Sequence, residues 1–303
     1  MAKIIAGERS GLIQLKRLRE CTLDEAVAAW NSGFAGYYVD VSTTADKFLN
    51  RMYREDLSAS LSIVAWVDGK PAGLVMNGVR TIGGQKVAWN GGTCVVPELR
   101  GRGVGAAMIE AVMELYRQAG VERAVLEAFV QNEPAISLYR KMGYQLVDRL
   151  LFLERTDPFA DRPFAHRLPH RYTLRSVRPH EVGRLPFYRS AAPWQTQWQS
   201  AKEGEALIVL DPAGEAVGYA LYERVYEESG AIKNIYLLQC EARPELAEAD
   251  EVLRIMLAEL FAPHDVSCRR STFNCPPPAS GCSGCLRREG FSPRESKFIW
   301  KSK

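Results

Sequence analysis

The spacing of apolar residues changes period several times along the chain, and each change marks an element. "LIQLKRL" (12–18) alternates apolar and polar positions, as a half-buried strand does. Thr22 and Glu25 then stand in the Thr-x-x-Glu spacing of a capping box, opening a helix through "CTLDEAVAAW". After an aromatic loop, "NSGFAGYYVD" (31–40), the stretch "ADKFLNRMYRED" (45–56) has helical periodicity. Residues 61–96 read as three strands, with Asp68-Gly69 and Gly83-Gly84 supplying the positive-φ turns of tight hairpins. Apolar residues at 104, 108, 112 and 115 predict a long helix closed by Gly120. A strand "RAVLEAFV" (123–130), a short helix "EPAISLYRKMG" (133–143) and two final strands within "YQLVDRLLFLE" (144–154) follow.

Periodicity stops in "TDPFADRPFAHRLPH" (156–170), whose three Pro predict a linker. Beyond it the order of elements repeats. "RYTLRSV" (171–177) reads as a first strand, "ALIVLDPAGEAVGYALYERV" (206–225) as a hairpin and "EADEVLRIMLAEL" (248–260) as the long helix. "PEL" at 97–99 recurs at 244–246, and "MGY" at 142–144 recurs loosely as "EGF" at 289–291. The Pro-to-Gly spacing is equal in both halves (143 − 97 = 46 and 290 − 244 = 46), which predicts a diverged internal duplication. The expected fold class is α/β (α+β): domains over 1–155 and 171–303 joined by 156–170, each a mixed, mostly antiparallel sheet flanked by helices.

"VVPELRGRGVGAAM" (95–108) sets Arg100, Arg102 and three glycines, 101, 103 and 105, where the long helix begins. A helix start presents unpaired N–H groups and the positive end of the backbone dipole. A phosphate fits there once side chains are cleared away, and the arginines add charge. A turn that merely precedes a helix is the plainer alternative. The loop lacks the Gly-Lys-Ser/Thr of a Walker A sequence. Gly101, Gly103 and Ala106 satisfy Gly-x-Gly-x-x-Ala, but a dinucleotide loop follows its strand directly within a parallel unit, and here "PELR" intervenes after hairpins.

Two motifs in the first half carry a family resemblance. "RGRGVG" (100–105) resembles the Arg/Gln-x-x-Gly-x-Gly/Ala loop of the GCN5-related N-acetyltransferases (GNAT family). "NEPAISLYRKMGY" (132–144) resembles that family's later Asn-x-x-Ala-x-x-x-Tyr-x-x-x-Gly-Phe/Tyr motif. The resemblance implies acetyl-CoA lying where the strands "VAWNGGTCVV" (87–96) and "RAVLEAFV" splay apart. Backbone groups of Cys94, Val95 and Val96 would pair with the pantetheine arm, one N–H polarising the thioester carbonyl. Arg100, Gly101, Arg102, Gly103, Val104, Gly105 and Ala106 would bind the pyrophosphate. Asn132 would hold the cofactor or a strand-end amide, with a helix cap as its other role.

The same resemblance implies catalytic groups. An attacking amine is mostly protonated near neutrality, so a proton acceptor is needed, and a departing thiolate leaves more readily once protonated. Tyr139 matches the family's acid; its other role is core packing. Glu127, in "LEA" (126–128), resembles the Glu assigned as base in ribosomal-protein N-terminal acetyltransferases, with ordered water as the competing base. Phe34, Tyr37, Tyr38 and Asp40 would line the acceptor site, or the aromatics simply close the core edge. The implied activity is transfer of an acetyl group from acetyl-CoA to a primary amine of a small molecule or peptide, by direct attack in a ternary complex. A non-catalytic acyl-CoA-binding sensor is the alternative.

In the second half, "AEADEV" (247–252) falls opposite "RGRGVG", so three acids replace two Arg and three Gly, and Leu286 falls opposite Tyr139. Acids suit a helix start but repel a diphosphate. A degenerate GNAT-like half that binds no CoA is expected. Cys268, Cys275, Cys282 and Cys285 could hold a structural zinc, but their first two members are too far apart for a common ribbon, and no metal is expected. The four His form no ligand-spaced cluster, and Trp194 and Trp198 stand at i, i+4, a core spacing more often than a ligand platform.

Composition narrows the partners. With 303 residues, 47% hydrophobic and 25% charged, two ordinary globular domains are expected. A net charge of +3 without a basic block argues against nucleic acid. No apolar run reaches the roughly 18 to 20 residues of a membrane helix, and "MAKIIAGERS" is too short and charged for a secretory signal. Seven Cys, an odd number, read as reduced thiols, so a cytoplasmic setting is expected. Oligomeric state and acceptor identity are not written in these patterns.

Overall fold

The computed structural model describes residues 3–6, 12–159, 163–165, 171–275 and 281–302. His166, His170 and part of the expected linker lie outside them. The chain forms two compact units, Met1–Val147 with Ile299–Lys303, and Asp148–Phe298.

The first unit runs β1 (Lys3–Ala6), β2 (Leu12–Arg17), α1 (Leu23–Gly33), α2 (Ala45–Arg54), β3 (Ile63–Val67), β4 (Lys70–Ile82) and β5 (Gln85–Val95). Then come α3 (Val104–Gln118), β6 (Arg123–Phe129), α4 (Glu133–Lys141) and the start of β7 (Tyr144–Arg155). The capping box of α1 forms as its spacing predicts: Thr22 Oγ1 accepts from the Glu25 N–H at 3.2 Å, and Glu25 Oε2 from the Thr22 N–H at 2.7 Å. Both hairpin turns take positive φ, at Asp68-Gly69 and Gly83-Gly84. Strand order is β1-β2-β3-β4-β5-β6. β3 is buried along its whole length, and Leu74 and Met76 of β4 are fully buried, as are Val104 and Met108 of α3. One expectation fails: 144–154 is a single strand, not two. The pattern breaks there at Asp148-Arg149, a change of charge without a turn-forming residue.

The second unit contains the rest of β7, then β8 (Thr173–Val177), α5 (Pro179–Val182), β9 (Glu205–Leu210), β10 (Ala216–Tyr226) and β11 (Ile232–Ala242). After these come α6 (Ala249–Leu260), β12 (Arg269–Thr272), α7 (Gly281–Arg288) and β13 (Ser292–Ser302). β7 neighbours β12, and the order continues β11-β10-β9-β8. Both faces of β9 are buried: Leu207 and Val209 join the main core with α6, while Ala206 and Ile208 join a second cluster around Val182 and Tyr219. Phe159 and Phe164 also sit in the main core, Phe164 stacked on Phe261 at 6.2 Å, so part of the Pro-rich stretch packs rather than merely connects.

Among the described registers each unit holds a parallel strand pair beside antiparallel ones. β5 pairs with β6 over Val87–Asn90 and Arg123–Leu126, and β11 with β12 over Asn234–Leu237 and Arg269–Thr272. The offset between the pairs' first residues equals that between Gly143 and Gly290 (234 − 87 = 147 and 290 − 143 = 147). The repeated arrangement of elements supports the duplication.

Candidate functional site

β5 and β6 part beyond Asn90 and Leu126, although β5 continues to Val95 and β6 to Phe129. The parting starts at a bulge. Met76 faces Gly92 and Asn77 faces Asn90, so Gly91 has no partner on β4. A Cβ at Gly91 would lie 2.6 Å from the Trp89 ring, and one at Gly92 would lie 2.9 Å from Trp30, so the bend needs residues without side chains. Arg51 fixes it, donating from Nη2 to the Gly91 carbonyl at 2.5 Å. Past the bulge the Val96 N–H is spent on the Ala72 carbonyl at 2.9 Å. Successive backbone groups of a strand point to opposite edges, so Val95, alone of Cys94, Val95 and Val96, turns its N–H and C=O to the parted side. The Cys94 thiol is buried and its pKa is pushed up to about 12 by that burial, which leaves it inert.

The glycine loop opens α3 beside this parting. Gly103 is the N-cap, at φ +88°, and Gly101 has φ +74°; a Cβ at either would meet nothing within 4 Å. Arg102 N–H donates to Leu99 and Ala107 N–H to Gly103. Among the described residues, the N–H groups of Gly101, Gly103, Val104, Gly105 and Ala106 have no acceptor. That is a cradle of donors at the positive end of a helix, with open approach. Arg100 plays a different part from the one its charge suggests. Its guanidinium donates to the carbonyls of Val95 at 3.0 Å, Gly33 at 3.0 Å and Ala35 at 2.8 Å, fastening the end of α1 to the cradle.

Tyr139 projects from α4 into the interior and is 5% exposed. Burial pushes its phenol up to about 12, and its hydroxyl is hydrogen-bonded with Thr93. Thr93 in turn exchanges bonds with the Asn90 side chain at 2.9 and 3.2 Å. Tyr139 therefore holds its proton throughout the physiological range. Asn132 caps α4, its Oδ1 accepting from Ala135 N–H at 3.3 Å, and also hydrogen-bonds Tyr37, whose phenol is raised by burial. Glu127 Oε2 accepts from the indole N–H of Trp89 at 2.7 Å.

Phe34, Tyr37 and Tyr38 form a cluster of tilted and edge-on rings with Phe129, with centroids 4.9 Å apart for Phe34–Tyr37, 5.1 Å for Tyr37–Tyr38, 5.8 Å for Tyr37–Phe129 and 6.0 Å for Tyr38–Phe129. Tyr38 is half exposed and donates to the Gln131 carbonyl at 3.1 Å. Asp40 stands apart at the surface, where its carboxylate accepts from Ser42 N–H at 2.9 Å, and those bonds lower its pKa. Sequence reading missed Trp89, Thr93, Arg51 and Phe129. Thr93 flanks Cys94 and Phe129 lies two residues from Glu127, but only the fold shows what their side chains meet.

The matching parts of the second unit are built differently. α6 starts with Glu248, Asp250 and Glu251, and Arg171 pairs with Glu248 at 3.5 Å and Glu251 at 2.6 Å. Leu286, opposite Tyr139, is fully buried in α7. Trp194 is buried, and Trp198 packs on the second cluster against Gly183. Cys268, Cys282 and Cys285 are buried, Cys282 hydrogen-bonded with Cys240. Among the described residues no three His, Cys, Asp or Glu side chains gather to hold a metal, and no helix is long and apolar enough to cross a membrane.

The profile of the acetyltransferase (GNAT) family matches residues 25–144, the stretch that carries the cradle, Glu127 and Tyr139. Over that stretch the chain is similar to the GNAT family. An uncharacterized N-acetyltransferase of Methanocaldococcus jannaschii is 30% identical over 116 residues, 37% of this chain and 50% of the relative. N-alpha-acetyltransferase 30 of Schizosaccharomyces pombe is 34% identical over 67 residues, 22% of this chain and 45% of the relative. The chain thus spans about half the length of these curated relatives. Solved GNAT structures extend the likeness of fold to the whole chain. One from Sphaerobacter thermophilus has a TM-score of 0.65 at 15% identity, covering 96% of this chain and 95% of its own. A tandem GNAT protein from the clavulanic acid biosynthesis pathway has a TM-score of 0.61 at 14% identity, covering 100% and 98%. A mixed α/β fold with a mostly antiparallel sheet flanked by helices is what GNAT neighbours share with this chain.

Proposed function

We propose that the first unit is an acetyl-CoA-dependent N-acetyltransferase acting on a primary amine of a small molecule or peptide. The observation that carries this reading is the cradle: five N–H groups without acceptors between Gly101 and Ala106, at a helix start, beside two strands that part. These residues fit a diphosphate by charge and by space. Gly101, Gly103, Val104, Gly105 and Ala106 would hold it, and the N–H of Val95 offers an extended arm a strand-like partner. When bound, acetyl-CoA supplies the thioester carbonyl that the amine attacks.

The chain's own groups then meet the two proton demands. Glu127, anchored by Trp89, accepts a proton from the incoming ammonium, directly or through water. Tyr139, kept protonated by burial and aligned by Thr93, donates from Oη to the leaving sulfur. The ring chain of Phe34, Tyr37, Tyr38 and Phe129 offers an apolar wall to the acceptor. The second unit, with acids at the start of α6, binds no CoA and acts without a cofactor. Thiol release from acetyl-CoA, screened against amino acids, polyamines, antibiotics and short peptides, tests the reading. Saturable heat on mixing with CoA and an amine-dependent rate are expected; absence of both overturns it.

A further inference from the structure

In the second unit β11 and β12 part after Leu237 and Thr272. Phe273 N–H still reaches the Leu237 carbonyl at 2.9 Å, but Cys275 bonds instead with Leu151 of β7. Between them Asn274 takes φ +49°. A partly open cavity of about 20 Å³ lies at this parting, lined by Asn274, Gln239, Arg189 and the thiols of Cys240, Cys275 and Cys282. Asn274 is 1% exposed, yet neither its Oδ1 nor its Nδ2 has a hydrogen-bond partner. Buried polar groups in native proteins are met, so a pair of unmet ends on one side chain calls for an explanation.

The surrounding groups are already committed. Gln239 accepts from Tyr219 Oη at 2.7 Å and donates to the Thr196 carbonyl at 2.9 Å. Arg189 pairs with Glu241 at 3.1 Å, so the formal charges there cancel. Burial raises the pKa of the Cys275 thiol, and the hydrogen bond with Cys240, then burial, raises that of Cys282, so both remain protonated, neutral and weak as donors. An ion is poorly matched to such a lining, and the acids at the start of α6 repel a diphosphate. What Asn274 lacks is one donor for Oδ1 and one acceptor for Nδ2, side by side. A primary carboxamide or a urea presents that face.

We propose that this cavity is a second ligand site, taking the carboxamide or urea head of a small neutral molecule whose remainder sits at the mouth. The volume exceeds the roughly 10 to 15 Å³ that one water needs, and is far below what a whole cofactor needs. The side-chain amide resonance of Asn274 in the full chain, titrated with propionamide and separately with its charged isostere propionate, tests it. A saturable shift with propionamide, at least about ten-fold tighter than with propionate, and lost in Asn274→Leu, is expected. Shifts that never saturate, or equal responses to the two probes, mean that only water occupies the cavity and overturn the proposal. Should Asn274→Leu fail to fold, the comparison of probes on the unaltered chain decides alone.

Discussion

The two units share a chain path and differ at its most chemical point. Each has a parallel strand pair that parts, a long helix after the first strand of the pair and a short helix after the second. In the first unit the long helix begins with glycines whose N–H groups have no acceptor among the described residues. In the second it begins with acids tied to Arg171, and the buried phenol of the short helix is replaced by a leucine. The contrast separates what the fold needs from what the chemistry needs. Both helices bury an apolar stripe, so that stripe is structural; only the first unit keeps the glycine-lined helix start and the buried phenol.

Four experiments break or sharpen this contrast. Gly103→Val puts a β-branched residue at φ +88° and a side chain in the cradle, so CoA affinity falls by about 100-fold or more, read by calorimetry. Removing an acid from the second helix start, Asp250→Gly, brings no CoA binding there. If the first change leaves affinity intact, the cradle is not the seat of the difference.

Tyr139→Phe lowers kcat by about 100-fold with little change in CoA affinity, measured by thiol release. Leu286→Ala, opposite it, does the reverse: it costs about 2–5 kcal/mol in stability by denaturant unfolding and leaves kcat unchanged. A Tyr139→Phe protein with full turnover would make that residue as structural as its counterpart.

Arg100→Ala frees the carbonyls of Gly33 and Ala35. Acceptor KM rises several-fold, about 1 kcal/mol, CoA affinity changes less, and amide exchange over residues 33–38 quickens. A large loss of CoA affinity instead would make Arg100 a phosphate ligand. Arg171→Ala, on its exposed ion pairs, shifts the melting temperature by little more than experimental error.

The smallest difference concerns pH. Burial raises Tyr139 in the first unit and Tyr222 in the second to about 12 each. In the unfolded chain such phenols ionise near the usual value of about 10. The folded state therefore holds protons that the unfolded state releases, and stability, level below pH 10, declines from there to pH 12. Tyr139→Phe and Tyr222→Phe each flatten that decline by a similar amount in alkaline unfolding curves.

Much of the first unit is legible in its sequence because its signals are local. A capping box, two positive-φ hairpin turns and a helix stripe each specify geometry within a few residues, and all form. The glycine-rich start of α3 is legible for the same reason. Side-chain partnerships are not: Arg100 reads as a free charge near a phosphate, yet it bonds to carbonyls 65 and 67 residues earlier in the chain. Asp40 reads as an acceptor-site carboxylate, and its bond to Ser42 N–H, which closes a local turn, is not legible from the spacing alone. In the second unit, acids and a Cys-rich loop blur the pattern, and Asn274 gives no hint in sequence that both its polar ends lie buried and unmet.

The return of Ile299–Lys303 to the first unit has a temporal consequence. Trp300 there is 1% exposed, and Ser302 Oγ accepts from the Ala124 N–H at 2.9 Å on β6, the strand that bears Glu127. A ribosome must therefore finish the second unit before the first can close this strand, so the first unit matures only after the second has been synthesised. A stop codon or frameshift anywhere before Ile299 would deprive the first unit of that seam.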